Sequence, residues 1–389
     1  MNDYDVVIVG GRAAGASTAL LLARAGLRVA VVERSRLGAD TVSTHALMRA
    51  GVLQLSRWGL LPELVAAGTP AIRRTAFHYA DGEDARVTLR ATPGVDALYA
   101  PRRHLLDRVL VEAAATSGAD VLHETPVVGL LRDGDGRVLG VRLPATEGGE
   151  VAVRADLTVG ADGLGSLVAR EVGAQVLTRG RVASSVLYRY VDQVPSTGYV
   201  WAYGASAAAG LIPTNAGQTC VFVSTTPARM RTLRRDGAEA AYDGLLDAVP
   251  AALSDAVRAG GPSGRLHGWR GAPGQVRRSY GPGWALVGDA GYFKDPITTH
   301  GITDALRDAE LLSDAALEGL GGASPVVALA RYEATRDRLS RALFEVTESV
   351  CRYDWNGGKV RALLRRVSSA MSDELDYLSA RPQPSHERV

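Results

Sequence analysis

The chain of 389 residues is long enough for two domains or one elaborated α/β domain, and with 46% hydrophobic residues it can bury a large core. A formal charge of +2, a pI near 8.5 and the lack of any block of like charge exclude a nucleic-acid-binding signature. Two cysteines make neither a disulfide framework nor a metal cluster, no apolar run approaches the ~18 residues of a membrane span, and the start at Asp3 and Asp5 is no signal peptide, so a reducing cytoplasm is the expected setting.

The stretch from Asp3 to Arg34 organises the rest. Branched apolar residues (Val6, Val7, Ile8, Val9) lead into Gly10, Gly11 and Gly15, an Ala/Leu-rich helical pattern follows, Gly26 breaks it, and a second apolar strand ends in Glu33. That is strand, tight turn, helix, strand. Gly10 lets the chain turn sharply, Gly15 lets the helix pack closely, and the first helical N–H groups with the helix dipole face a pyrophosphate. Glu33 lies 23 positions after Gly10, close to the ~20 at which a carboxylate takes a ribose hydroxyl. The middle glycine of the G-x-G-x-x-G pattern is replaced by Arg12, where the backbone normally approaches the phosphates most closely. The arginine is expected to swing aside, its guanidinium near the pyrophosphate or near the loop at residues 40–45, adding a charge-assisted contact.

Farther on, Thr44 can cap a helix from about Ala46 to Trp58, which Gly59 ends. Short β segments then flank the Asp81-Gly82 turn. A helical pattern returns around Leu106 to Ala113, short strands follow about the turn at Asp133 to Gly136, and an apolar strand leads into Asp162-Gly163 and a helix near Ser166. Residues 179–270 read as strands with one helical piece around Ala238 to Val257. From Trp284 the pattern is strand, loop, long helix, and the remainder is helical to Leu378. The expected domains are 1–72, 97–178 and 271–324 for a discontinuous nucleotide-binding unit, 73–96 and 179–270 for a β-rich substrate unit, 325–378 for C-terminal helices, and 379–389 for a disordered tail.

Three segments together resemble the FAD-dependent aromatic-hydroxylase-like monooxygenases, a superfamily that includes flavin halogenases and geranylgeranyl reductases. They are Gly10 to Gly15 with Glu33, then Gly160-Ala161-Asp162-Gly163, then Gly288-Asp289-Ala290 with Asp295-Pro296 and His300-Gly301. The resemblance implies an α/β fold in which a Rossmann-like FAD-binding domain, a parallel sheet with a β-meander, is interwoven with a smaller β-rich substrate domain. It also implies FAD as cofactor, with NADPH or NADH as transient donor. Asp289 would accept from a ribityl hydroxyl, Gly288 would give the cofactor room, Pro296 would stiffen the loop, and the helix from Gly301 would face the flavin N1/C2 edge and favour its anionic reduced form. Arg103 matches the arginine that reaches the flavin, Asp162 and Gly163 match a pair serving FAD and the nicotinamide donor, and Ala14, Arg34, Val127 and Ile302 complete the implied cofactor contacts.

His45 falls where the family places residues over the isoalloxazine and can handle a proton, or it packs locally at a helix start. His300 stands one residue before the flavin-facing helix and contacts flavin or substrate, or makes only a hydrogen bond. Lys294 is one of two lysines among 44 basic residues; it lies close to the cofactor or makes a surface salt bridge, for instance to Asp295. Tyr199, Trp201 and Tyr203 share one face of a strand by the period of two and line a substrate cavity, or form a core stripe. Cys220 and Cys351 read as buried small apolar residues.

The reaction this implies is hydroxylation or epoxidation of a small aromatic or polycyclic compound by molecular oxygen through a flavin C4a-hydroperoxide, with a separate flavin reductase as a further partner if NAD(P)H does not reduce the flavin directly. No metal site competes. A halogenase would need a lysine before Lys294, and none is present. A geranylgeranyl-reductase-like saturase shares the aromatic part of Tyr199 to Tyr203 but expects proline where Gly204 stands. A redox-neutral FAD-bound cyclase or isomerase is the third alternative.

Overall fold

The computed structural model describes residues 3–145 and 148–382. The chain begins with β1 (Tyr4–Val9), α1 (Ala13–Arg24) and β2 (Val29–Val32), followed by α2 (Arg49–Arg57), α3 (Leu61–Ala66), β3 (Arg74–Tyr79) and β4 (Ala85–Thr88). Then come α4 (Arg103–Thr116), β5 (Asp120–Leu122), β6 (Gly129–Arg132), β7 (Val138–Pro144), β8 (Glu150–Gly160), α5 (Leu167–Glu171) and β9 (Val176–Arg179). Next are β10 (Ser185–Asp192), β11 (Tyr199–Gly204), β12 (Ala207–Pro213), β13 (Gln218–Thr225), α6 (Pro227–Leu233), α7 (Ala238–Asp247) and α8 (Ala251–Arg258). The last part holds β14 (His267–Trp269), β15 (Gln275–Arg277), β16 (Tyr280–Gly281), β17 (Trp284–Leu286), β18 (Tyr292–Phe293), α9 (Gly301–Leu320), α10 (Pro325–Val350) and α11 (Gly357–Ser379).

The first sheet runs β16-β17-β8-β1-β2-β5, with β6 and β7 continuing from β8 as an antiparallel meander. β1 is parallel to both β2 and β8, and β17 is parallel to β8. Because β1 and β2 are central and covered on both faces, they read as unbroken branched apolar runs rather than alternating ones. One face packs on α1, α4 and α9; the other is closed by the meander and α5.

The second sheet has the order β14-β10-β13-β12-β11-β3-β4, antiparallel except for the β11–β3 pair. Its strands come from two separated parts of the chain, so the backbone leaves the first sheet twice. The outer face is covered by α6, α7 and α8. The inner face packs against α10 and α11. A short third sheet, β18-β15-β9, joins the two.

Local expectations needed three corrections. The helix expected from Ala46 starts at Arg49, with Met48 and not Thr44 at its N-cap, because His45 takes a left-handed backbone (φ 68°) and Leu47 bridges to Tyr99. The single helical piece near residues 238–257 is two helices broken at Pro250, with α6 before them. The tail expected from 379 is still ordered at its start: Ser379 belongs to α11 and Arg381 pairs with Glu310 at 2.9 Å, while 383–389 lie outside the described residues.

Candidate functional site

The three motifs converge at the carboxyl ends of β1, β8 and β17, where Val9 and Leu286 both register with Gly160. Gly10 (φ 102°) passes so close to the second motif that a Cβ there would lie 2.5 Å from the Ala161 carbonyl oxygen. Gly15 is tighter still, with a Cβ position 1.8 Å from the Gly10 oxygen, so helix and strand touch backbone to backbone. Gly288 (φ 59°) abuts the Ala14 methyl, which ties the third motif to the first. By contrast, a Cβ on Gly163 or Gly301 would meet no atom of the described residues within 4 Å, so open space lies beside both.

Glu33, buried at the end of β2, accepts from Gly11 N at 2.7 Å and Ser35 N at 2.8 Å. Arg12 is the N-cap of α1 and lines a cleft with Gly11, Glu33, Gly38, Ala39 and Asp107. Its charge acts on Asp107, which also holds Arg103 through two contacts of 3.0 Å; burial nonetheless raises the Asp107 carboxyl. Arg103 thus faces its own helix neighbour. Arg34 is exposed just past β2, and Val127 is half-buried. Asp162 accepts from Leu167 N at 2.6 Å, in the first turn of α5, and at 2.5 Å from the Oγ of Ser166, the N-cap of that helix.

Asp289 is open to solvent although protein surrounds it closely, as a side chain in a crevice would be, and this enclosure raises its carboxyl to about 6. The rise is felt in full only when something displaces water from that crevice. Pro296 opens a one-turn 3₁₀ helix capped by Asp295, and Thr299 in the left-handed region (φ 50°) turns the chain into α9 at His300, with Gly301 exposed and Ile302 half-buried behind it.

His300 is 1% exposed. Its Nε2 pairs closely with Glu374 of α11, and its Nδ1 is buried with no partner among the described residues. Lys294 is 5% exposed and pairs with Asp304, so the expected surface bridge to Asp295 is not made; Asp295 instead accepts from the Ser184 and Ile297 amides. Arg307 bridges Asp304 (3.0 Å), Glu374 (2.7 Å) and Asp308 (2.7 Å). Burial, and then the like charge of Arg307, pulls Lys294 down to about 7. Burial works against ionised Glu374, but His300 and Arg307 hold it down at about 2.

His45 forms a second buried cluster, with Nε2 close against the Tyr190 hydroxyl of β10 and Nδ1 unpartnered among the described residues. Burial, reinforced by Arg102, lowers it to about 3, so the ring is neutral near pH 7. The Arg102 guanidinium lies 3.6 Å from the Tyr190 ring centre and donates to Asp40 (2.9 Å) and Gln218 (3.1 Å). Tyr188 stacks on His267 at 4.9 Å and accepts from Ser43 N. Tyr199, Trp201 and Tyr203 lie on the same sheet face farther along and are buried with Phe222, Tyr79 and Trp355 against the C-terminal helices.

The family model described as an FAD binding domain matches residues 3–347. The chain belongs to this FAD-binding family. The 6-methylpretetramide 4-monooxygenase of Streptomyces rimosus is 32% identical over 339 residues, 81% of this chain and 76% of that protein. A digeranylgeranylglycerophospholipid reductase of Methanosarcina mazei is 27% identical over 341 residues, 82% of this chain and 76% of that one. A solved triple mutant of the flavin-dependent brominase Bmp2 shares the fold, with a TM-score of 0.81 at 18% identity over 98% of this chain and 96% of that chain. No helix among the described residues is long and apolar enough to cross a membrane.

Several residues of the two buried clusters carry no sequence signal. Glu374 lies 74 positions after His300, and Tyr190 lies 145 after His45; only the tertiary fold joins them. Asp304 and Arg307 sit one helical turn apart on α9, a spacing that marks a shared helix face but not its burial. His300, Asp304 and Glu374 offer ligand atoms within 4.8 Å of one another, but the ammonium of Lys294 and the guanidinium of Arg307 already sit on these carboxylates.

Proposed function

We propose that the protein is an FAD-dependent monooxygenase that hydroxylates or epoxidises a hydrogen-bonding aromatic or polycyclic substrate, with NAD(P)H as electron donor. The observation that carries the proposal is the polar aromatic cluster of Tyr188, Tyr190, His45, His267 and Arg102, where the loop after β2 meets the inner face of the second sheet. Tyr188, Tyr190 and His45 are buried while Arg102 and His267 are half-buried, so a planar polar compound reaching the cluster past these two would find hydrogen bonds and ring faces. An isoprenoid chain would need an apolar tunnel instead, and the stripe of Tyr199, Trp201 and Tyr203 is taken up by core packing. At Gly204 a Cβ would lie 1.9 Å from the Ala248 carbonyl oxygen, so that strand end is pressed against backbone. The Streptomyces rimosus relative, named a monooxygenase, supports the same choice.

FAD supplies the redox and oxygen chemistry. The openings at Gly163 and Gly301 and the crevice around Asp289 fit such a cofactor. Gly10, Ala14, Gly15 and the start of α1 would hold the pyrophosphate, with Arg12 as added charge and Glu33 at the ribose. Gly288, Asp289 and Pro296 would border the ribityl chain, and the free N–H groups of α9 from Gly301 would face the flavin edge. Neutral His45 and the Tyr190 hydroxyl would orient a substrate hydroxyl, and the tightly packed residues around them would keep water out.

Purified protein loaded with FAD is mixed with NADPH or NADH in air, with and without phenolic and polycyclic aromatic compounds. Compound-stimulated consumption of both NAD(P)H and oxygen supports the proposal. Product formed with no flavin reduction overturns it, and saturation of an isoprenoid double bond without oxygen uptake assigns the saturase reading instead.

A further inference from the structure

His300 and Glu374 form a pair whose proton position follows from their chemistry. Glu374 is held ionised by Arg307 and by the hydrogen bond from His300, and an ionised carboxylate only accepts. The ring nitrogen against it, Nε2, must therefore carry the hydrogen. Burial lowers His300, and a hydrogen on Nδ1 would find no acceptor among the described residues, so Nδ1 is left as a bare lone pair. That lone pair is shut off from solvent and unpartnered among the described residues, and the next residue, Gly301, borders open space.

The surrounding charges sharpen the point. Facing the pair are Lys294 from the loop before α9, Asp304, Arg307 and Asp308 from α9, Tyr292 from β18, Ser340 from α10, and Glu374 itself from α11. Two cations stand among three carboxylates. An excess of negative charge favours a donor dipole turned toward a lone pair left free, while burial opposes a second proton on the ring.

We propose that Glu374 is a positioning residue that holds His300 in the Nε2–H tautomer and so keeps Nδ1 as an acceptor, at the start of α9, for an O–H or N–H of the bound cofactor or substrate. This rests on the reading of the α9 start as the flavin-facing end of the site. It also makes α11 part of the site, since that helix supplies the carboxylate nearest Nε2, with Asp304 Oδ1 farther away at 3.9 Å.

The test is ¹⁵N NMR of the full chain with labelled histidine, His300 being assigned by its loss in His300→Asn. Between pH 6 and 8 the wild-type protein is expected to show protonated Nε2 and unprotonated Nδ1. An Nδ1–H tautomer or an imidazolium in that range overturns the proposal without any Glu374 variant. Glu374→Gln removes the ionised acceptor, and its amide can donate to Nε2. The variant should populate the other tautomer and lower the His300 titration midpoint by about one unit or more; an unchanged tautomer and midpoint overturn the proposal. Adding FAD to the apoprotein and then phenol to the loaded protein separates the two donor sources. A Nδ1 shift on the first addition identifies a cofactor donor, a shift only on the second identifies a substrate hydroxyl, and no shift on either overturns the acceptor role. None of these readouts needs turnover, so they stand apart from the oxygen-uptake test of the monooxygenase reading.

Discussion

Replacing Gly15 with alanine puts a methyl group 1.8 Å from the Gly10 carbonyl oxygen and 3.1 Å from the Ala161 methyl. Ordinary carbon–oxygen contact needs well over an ångström more, and neither atom can retreat. Gly10 N is bonded to Val32 O at 2.9 Å and Ala161 N to Val9 O at 2.8 Å, so the strand end is fixed on both sides. The helix must lift from the sheet, loosening Ala13, Ala16 and Leu20 from the core. Overpacking usually costs about 1–3 kcal/mol, and because the obstacle is backbone the upper end, about 3 kcal/mol, is expected. Gly301→Ala is the matched control. No atom of the described residues lies within 4 Å of its Cβ position and its φ is not positive, so the apoprotein should be as stable as wild type. The new methyl occupies the space assigned to the cofactor, however, and FAD should bind at least roughly tenfold more weakly, a loss of about 1.4 kcal/mol. Urea unfolding of both apoproteins and fluorescence titration with FAD measure the pair. An unchanged urea midpoint for Gly15→Ala, or unchanged FAD affinity for Gly301→Ala, would refute the reasoning.

Arg12→Gly should weaken FAD roughly tenfold or more through loss of a charge-assisted contact, and equal or tighter binding would mean that the arginine only fills space. His45 is held at about 3 against an ordinary 6.5, so the folded state binds fewer protons than the unfolded chain between those values. Its contribution is therefore complete above pH 6.5 and is lost as pH falls toward 3, by up to about 5 kcal/mol. His45→Asn keeps a residue suited to positive φ and should flatten the stability–pH curve in that window; parallel curves for the two proteins would contradict this. Lys294→Met removes one partner of a buried pair, and urea unfolding should show a loss of about 3 kcal/mol, the lower end for such pairs because Arg307 still serves Asp304. A loss under about 1 kcal/mol would mean that Lys294 is held neutral and contributes packing only.

Much of the local geometry of the proposed cofactor cradle was legible because its signals are local. Val6 to Val9, Gly10, Gly15 and Glu33 state a strand, a turn, a close helix and a strand end within one stretch, and periodicity reads such stretches well. The order of the three motifs then implied the α/β fold, with β1, β8 and β17 side by side. The charged network was not legible. Lys294 drew attention by its rarity, but its partner Asp304 is one acidic residue among 42, and nothing in the chain marks it as buried. Glu374 has the same difficulty across 74 positions. The aromatic stripe shows the opposite limit, since the period of two correctly puts Tyr199, Trp201 and Tyr203 on one face but cannot say what covers that face. His45 was misread at the backbone level: a left-handed residue there delays α2 to Arg49, and no propensity of Thr44 or Ala46 announces it.

The central claim is that oxygen enters the substrate. The FAD-loaded protein, supplied with NADPH under ¹⁸O₂ and with each phenolic or polycyclic compound that stimulates oxygen uptake, should give a product heavier by one ¹⁸O atom in mass spectrometry. A product whose added oxygen comes from water, or a saturated or isomerised product with no added oxygen, would contradict it.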